Sequence, residues 1–464
     1  MIDFKNIEGI YFVGIGGIGM SALALYFAKG GYTIAGYDRS ESRITLSLTE
    51  IGCTVTYEDD VSVLPDIFKT NSDKNNVLIV YTPAIPSENA ILSYFRNNGY
   101  RLYKRSEVLG EISANTDTLA VAGTHGKTTV STMIAHLLKQ SKVDCSAFLG
   151  GISKNYNSNL LLGESRYTVM EADEFDRSFH RLKPLMAVVT SLDADHLDIY
   201  GDHCTMVEAY NEFCRKIRPG GKLVVNIKIR NGIVVPDDVT CFTYGLDSNA
   251  DYNAFNIEHV KDFYRFDIKT PSAVISDLHF AFPGIINIEN FTAAIAIAMM
   301  CGVTEQEFRK AVILFQGVKR RFDIRINRPG LAYIDDYAHH PEEIRACINS
   351  VKEYFSGRKI TGIFQPHLFS RTRDHADGFA EILDELDEAI LLPVYPAREM
   401  PIEGVTSELI FNKMKLRERR LLNKTDIPGK LDVRKLDVLL TIGAGDINAL
   451  VGSIEEKLRK ERGG

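Results

Sequence analysis

Twice in this chain of 464 residues a short apolar run ends in a cluster of glycines and passes straight into a helical pattern. Gly9-Ile10-Tyr11-Phe12-Val13 leads into Gly14-Ile15-Gly16-Gly17-Ile18-Gly19 and then an apolar helix. Leu119-Ala120-Val121-Ala122 leads into Gly123-Thr124-His125-Gly126-Lys127-Thr128-Thr129. The residues that follow place Val130, Met133, Ile134, Leu137 and Leu138 on one helical face. A strand that turns through glycine into a helix opens a βαβ unit, so an α/β fold on parallel sheets is expected. At roughly 150 residues per domain, the length allows about three domains, and each can bury a core without disulfide staples.

Further strand-like runs fall at 32–37 and 77–81, at 167–170, 187–190 and 222–227, and at 331–334, 359–364, 389–394 and 437–442. They group into blocks 1–110, 111–320 and 321–464. Segment 230–238 reads as a loop. In open parallel sheets ligands gather beyond the carboxyl ends of the strands, so the chemistry is expected in the loops after these runs.

The second glycine loop has the composition of a triphosphate cradle. Its glycines bring backbone N–H groups to phosphate, and the helix start adds partial positive charge. Lys127 is expected to reach the β- and γ-phosphates, and the Thr128 hydroxyl to bind Mg²⁺. The usual pattern has glycine six residues before the lysine, where this chain has Val121. The bland alternative is a tight turn with a solvated lysine. Mg²⁺ requires oxygen ligands, and two acidic runs follow strand ends: Glu171-Ala172-Asp173-Glu174 and Asp193-Ala194-Asp195-His196. Glu171, the first after its strand, is the better metal candidate. On chemistry alone His196 reads as a histidine behind the ligands or a structural one, because Mg²⁺ rarely takes imidazole.

Gly14, Gly16 and Gly19 match G-x-G-x-x-G, and Asp38 ends the second strand. Alone this spells a dinucleotide site with Asp38 on a ribose hydroxyl. The same geometry holds the diphosphate of any nucleotide.

The charge balance, 54 basic against 61 acidic side chains and a net −7, argues against a nucleic-acid or anionic-membrane surface. Seven cysteines with no CxxC pair give neither a disulfide framework nor a zinc ribbon. The N-terminus lacks the pattern of a secretion signal. The longest apolar-rich stretch, near 291–303, is too short to cross a bilayer. A cytoplasmic chain with no membrane or nucleic-acid partner is expected, as monomer or homodimer.

Ten stretches run through the chain in the order GIGGIGMSALA, TPAIPSENAIL, GTHGKTT, EADEFDRSF, DADHLDIYGD, GVKRRFD, DDYAHHPEEI, QPHLFSRTRD, YPARE and GAGDI. Together they resemble the Mur ligases of bacterial peptidoglycan synthesis. The resemblance implies a Rossmann-like N-terminal domain (1–110) for a UDP-sugar, a central P-loop ATPase-type domain (111–320), and a Rossmann-like C-terminal domain (321–464) for the amino acid. It implies ATP and Mg²⁺ as cofactors. The implied activity is ligation of L-alanine to the lactyl carboxylate of UDP-N-acetylmuramate through an acyl phosphate.

By the same resemblance, Gly14, Gly16, Gly17, Gly19, Asp38, Thr82 and Ala84 meet the UDP-sugar. Gly123, Thr124, His125, Gly126, Lys127, Thr128, Thr129, Asn287, Asn290 and Arg321 meet ATP. Thr128, Glu171 and His196 hold the metal. Lys127, Glu171, His196 and Asp336 carry catalysis, and His339, His367 and Arg371 form the amino-acid pocket. Ile286 and Leu368 stand where relatives carry His and Arg, and no lysine matches the carbamylated lysine of some relatives, Asn211 lying nearby. Within the family the rival is a peptide-recycling ligase that adds a tripeptide to the same sugar. Outside it stand a nicotinamide oxidoreductase, which leaves the lysine loop without a purpose, and a non-catalytic nucleotide switch.

Overall fold

The computed structural model describes residues 2, 4–69, 74–194, 197–261, 263–397 and 399–461. Three sheets follow one another along the chain. The first holds β1 (Gly9–Val13), β2 (Thr33–Tyr37), β3 (Thr54–Thr56), β4 (Val77–Tyr81) and β5 (Leu102–Lys104) in the order β3-β2-β1-β4-β5. All its pairings are parallel. Such a sheet is buried on both faces, so its central strand is a continuous apolar run, and every residue of β1 is buried. Helices α1 (Ile18–Lys29), α2 (Arg43–Glu50), α3 (Ala90–Asn97) and α4 (Arg105–Asn115) complete this part. Strand order reverses at β1, which places the first glycine loop at the switch point.

The central sheet is ten-stranded, from β6 (Asp117–Ala122) to β15 (Val274–Phe280). Its parallel heart is β11-β10-β6-β9-β7, with β7 (Ser146–Ser153), β9 (Tyr167–Glu171), β10 (Met186–Val189) and β11 (Lys222–Asn226). β8 (Ser158–Leu161) pairs antiparallel at one edge. At the other, β12 (Thr240–Gly245) and β13 (Tyr252–Val260) lead into an antiparallel meander through β14 (Phe263–Lys269) to β15. That meander is absent from the sequence reading. The expected loop at 230–238 starts within a 3-10 turn, Ile227–Gly232.

Helix α5 (Lys127–Lys139) follows β6. The five apolar residues expected on one face are fully buried. Burial of each such side chain contributes about 1.5–3 kcal/mol. Its other face is covered too: His136 is fully buried, with its Nε2 2.8 Å from the Ala311 carbonyl. Burial, chiefly, holds that imidazole below its ordinary pKa. Helices α6 (Leu197–Tyr200), α7 (His203–Cys214), α8 (Ile285–Met300) and α9 (Glu305–Leu314) complete the central part.

The third sheet runs β16-β17-β21-β18-β19-β20, from β16 (Asp323–Arg328) to β21 (Val438–Ile442). It is parallel except for the β16–β17 pair, with β17 at Leu331–Asp336, β18 at Ile360–Phe364, β19 at Glu388–Leu391 and β20 at Arg419–Leu421. Helices α10 (Pro341–Tyr354) and α11 (Phe369–Asp374) follow β17 and β18.

The chain divides into two compact units, one of residues 1–281 and 289–316, the other of 282–288 and 317–464. The first two sheets share the larger unit, and the third has the smaller. The seven cysteines form no disulfide. Among the described residues no helix is long and apolar enough to cross a membrane.

Candidate active site

In the larger unit β6 lies between β9 and β10, all parallel, so their carboxyl ends lie side by side. Register pairs Val121 with Glu171 and Ala122 with Val189. The loop after β6 therefore meets the acid ending β9 because of the sheet, not because of any sequence neighbourhood.

The turn itself depends on Gly123. Its φ is +135°, and a Cβ there would fall 2.0 Å from Thr190 Oγ1. The strand end of β10 is stitched to the loop: Ser191 Oγ accepts the His125 N–H at 2.7 Å and lies 2.9 Å from Thr124 Oγ1. Thr124 Oγ1 also accepts the Asp193 N–H, and the His125 imidazole lies 3.6 Å from the Asp193 carboxylate. Thr129 lies in the first turn of α5. The amide oxygen of Asn290, on α8, is 3.1 Å from the Cβ position of Gly126.

Lys127 donates to the carbonyls of Gly123 (2.6 Å) and Thr124 (3.2 Å) and to Glu174 Oε1 (2.8 Å). The pair is secluded, 14% and 2% exposed by side chain. Burial disfavours the Lys127 ammonium, but Glu174, with Glu171 and Asp173 behind it, more than offsets that and keeps it charged. Burial pushes the Glu174 carboxyl up to about 7, against the pull of Lys127 and with the help of Asp173. Sequence reasoning did not single out Glu174. It sits in the run Glu171-Ala172-Asp173-Glu174, where nothing in residue type separates a buried acid from a solvated one.

Thr128 donates its hydroxyl to Glu171 Oε2 at 2.8 Å, and the same oxygen accepts the Gly150 N–H at 3.1 Å. A hydroxyl and a carboxylate beside a phosphate loop are hard oxygen donors of the kind Mg²⁺ uses, with phosphate and water supplying the rest. The donor set fits the ion. Among the described residues no cluster of three or more His, Cys, Asp or Glu is placed to hold a metal. His196 and Asp195 lie outside the described residues.

At the first glycine loop, Gly16 donates its N–H to Asp38 Oδ2 at 2.7 Å, and Asp38 Oδ1 accepts from Arg39 N. Asp38 thus braces the loop from within. Gly14 has φ +91°, and Gly17 caps α1. Thr82 bonds to the Val13 carbonyl, so it lies against the end of β1, and Ala84 is exposed just beyond. Between this loop and the central sheet lies a cavity of about 330 Å³, lined by Gly17, Gly19, Thr82, Arg105, Glu171 and Asp173 among others. Arg105 belongs to no motif and was not read from sequence.

In the smaller unit, Asn287 donates its amide to the Pro283 carbonyl at 2.6 Å. Asp336 ends β17 and accepts from the backbone of Phe322 (2.6 Å) and Ala338 (2.7 Å). Burial pushes its carboxyl up to about 6, with Arg321 and those two N–H groups opposing and Glu343 adding to the rise. The Arg321 guanidinium lies 5.0 Å over the Tyr337 ring and 4.0 Å from Glu343. His339 lies 3.2 Å from Glu343 and 6.0 Å, ring to ring, from His367, which stacks on Tyr395. Arg371 lies on α11, half-buried. The structure brings His339, His367 and Asp336 to the carboxyl edge of the third sheet, as strand order requires.

A strand, a glycine loop and a helix carrying lysine and threonine, facing a strand-end glutamate, define a nucleoside-triphosphate-handling α/β protein. Comparison narrows the class. Residues 9–116 match the catalytic domain of the Mur ligase family, 121–298 the Mur ligase middle domain, and 320–453 the Mur ligase glutamate ligase domain. UDP-N-acetylmuramate–L-alanine ligase of Parabacteroides distasonis is 48% identical over 461 residues, 99% of each chain. The structure of UDP-N-acetylmuramate–alanine ligase from Thermotoga maritima superposes with a TM-score of 0.81 at 26% identity, over 98% of this chain and 99% of that one. A murein peptide ligase from Psychrobacter arcticus gives a TM-score of 0.70 at 22% identity, over 97% and 98%. This chain belongs to the Mur ligase family.

Proposed function

We propose that this chain joins L-alanine to the lactyl carboxylate of UDP-N-acetylmuramate, using ATP, in the cytoplasm. The observation that carries the reading is the Lys127–Thr128–Glu171 constellation in the same unit as the first glycine loop. The 48% identity over the full length to an alanine ligase favours alanine over the tripeptide as amine. We place the UDP-sugar in 1–110, ATP in 111–320 and the amino acid in 321–464, with α4 running through the first boundary.

A carboxylate resists amines because its oxygen is a poor leaving group. Transfer of the γ-phosphoryl group of ATP to a carboxylate oxygen, with departure of ADP, turns that oxygen into part of a phosphate. The neutral amine then attacks the acyl carbon, and the tetrahedral adduct collapses to the amide as phosphate leaves. Phosphoryl transfer asks chiefly for positioning and charge neutralisation. Two unit anions 4 Å apart repel by about 4 kcal/mol at an effective dielectric of about 20. Lys127 offsets this by leaving Glu174 for the triphosphate. Thr128 and Glu171, with His196, are the residues that would hold Mg²⁺. When bound, that ion supplies further neutralisation of the phosphates. Gly123, Thr124, Gly126 and Thr129 shape the phosphate cradle, with Asn287, Asn290 and Arg321 on the nucleotide. We assign to Asp336, whose carboxyl burial raises to about 6, the role of orienting or deprotonating the incoming ammonium. Arg371 offers the guanidinium fork that suits the alanine carboxylate, and we assign His339 and His367 to the same pocket.

The test is ADP release with UDP-N-acetylmuramate, comparing L-alanine, glycine, L-serine and the tripeptide. Release with L-alanine and formation of the amide are expected. No amide with any of the four sinks the reading, and a preference for tripeptide transfers it to the recycling activity.

A further inference from the structure

The cavity between the first glycine loop and the central sheet presents an electrostatic problem. Glu171 and Asp173 both stand in its wall, and any sugar nucleotide entering it is itself an anion. Among the described lining residues the cation is Arg105, the first residue of α4.

Its placement is specific. A Cβ on Gly19 would fall 2.4 Å from Arg105 Nη1, so the guanidinium lies directly against the backbone of α1's first turn. Its other terminal nitrogen, Nη2, is 3.3 Å from Asp173 Oδ2. That contact is longer than the roughly 2.7–2.9 Å of a strong charge-assisted bond, and the Asp173 side chain is 41% exposed. Asp173 is held instead by its own turn, its Oδ1 accepting the Phe175 N–H. One fork therefore spans from the first glycine loop to Asp173.

We propose that Arg105 is a substrate-positioning residue: its guanidinium receives an anionic group of the nucleotide sugar, in exchange for its contact with Asp173. Guanidinium suits carboxylate and phosphate alike, so the receiving group is either the substrate's reacting carboxylate or its diphosphate. The inference rests on the ligase reading above and adds the residue that offsets the charge of Glu171 and Asp173. The rival is a clamp that merely ties the first sheet to the second.

The two partners of the pair distinguish these. Under the proposal, Arg105→Ala raises the KM for UDP-N-acetylmuramate by about tenfold or more, leaves the KM for ATP within about twofold, and Arg105→Lys falls between. Asp173→Asn lowers the KM for the sugar nucleotide, because it removes a competitor for the guanidinium. A clamp predicts that both variants raise both KM values and lower the melting temperature together. That result, or a wild-type KM in Arg105→Ala, overturns the proposal. Calorimetric titration with UDP, UDP-N-acetylglucosamine and UDP-N-acetylmuramate then locates the group. A loss confined to the last assigns the carboxylate, and a loss already seen with UDP assigns the diphosphate. If wild-type protein forms no amide, the ligase reading fails, whereas the titrations still report on Arg105.

Discussion

Lys127 and Glu174 show what one buried pair does at two pH values. The ammonium satisfies itself on two loop carbonyls and one carboxylate. If Lys127 takes the triphosphate as proposed, a phosphate displaces the carboxylate, and the Glu174 pKa of about 7 makes that competition pH-dependent. At pH 6 Glu174 is largely protonated and yields, while at pH 8 it is charged and competes. Glu174→Gln is therefore expected to bind ADP several-fold more tightly than wild type at pH 8, with the difference closing at pH 6, by calorimetric titration. An equal ratio at both values refutes the competition. Lys127→Ala is expected to keep its circular dichroism and lose ADP formation, and wild-type turnover in that variant removes the lysine from the mechanism. Asp336 gives a stability counterpart. Its folded pKa of about 6 lies above the ordinary 3.8. Between those values the folded chain holds a proton that the unfolded chain has released, so stability falls as pH rises through the window and stays lower above it. Asp336→Asn removes this slope. Relative to the variant, wild type is expected to lose on the order of 2–3 kcal/mol between about pH 4 and pH 7, measured by urea unfolding at each pH.

At the scale of elements, the parallel strands were legible because they are buried on both faces. The runs at 9–13 and 77–81 coincide with β1 and β4, and the run at 222–227 exceeds β11 by one residue. The β13–β15 meander was not legible. One side of it is exposed, its polar and apolar residues alternate imperfectly, and bulges break its register. The site divides the same way. Gly123, Lys127 and Thr128 are one loop and can be read from it. Glu171 meets Thr128 through sheet order, and Arg105 meets Asp173 across two different sheets, and a linear pattern carries neither. The loop also predicts its own fragility. Gly123→Ala places a Cβ where Thr190 Oγ1 stands, at a φ that L-residues rarely adopt. A loss of about 1–3 kcal/mol and of ADP binding is expected, read by thermal melts and titration. Alanine at this position with wild-type affinity refutes the backbone argument.

The molecule as a whole consists of two compact units, and its proposed ligand groups divide between them. Lys127, Thr128, Glu171 and Asn290 belong to the larger, His339, His367 and Asp336 to the smaller. Chains of this kind need not unfold in one step, so a calorimetric scan is expected to resolve two transitions. They can be assigned with a variant outside every site. Thr304 caps α9 in the larger unit through a capping box with Glu307. Thr304→Ala removes that cap at a cost of about 1 kcal/mol, and the transition it lowers is that of the larger unit. A ligand that binds only the folded form stabilises it by about 2.7 kcal/mol at a hundred times its Kd. Because the proposed phosphate loop lies in the larger unit, saturating ADP is expected to raise the transition that Thr304→Ala lowers, and to do so less in Lys127→Ala. If ADP instead moves the other transition and leaves this one in place, the phosphate loop is not what binds the nucleotide, whatever its sequence resembles.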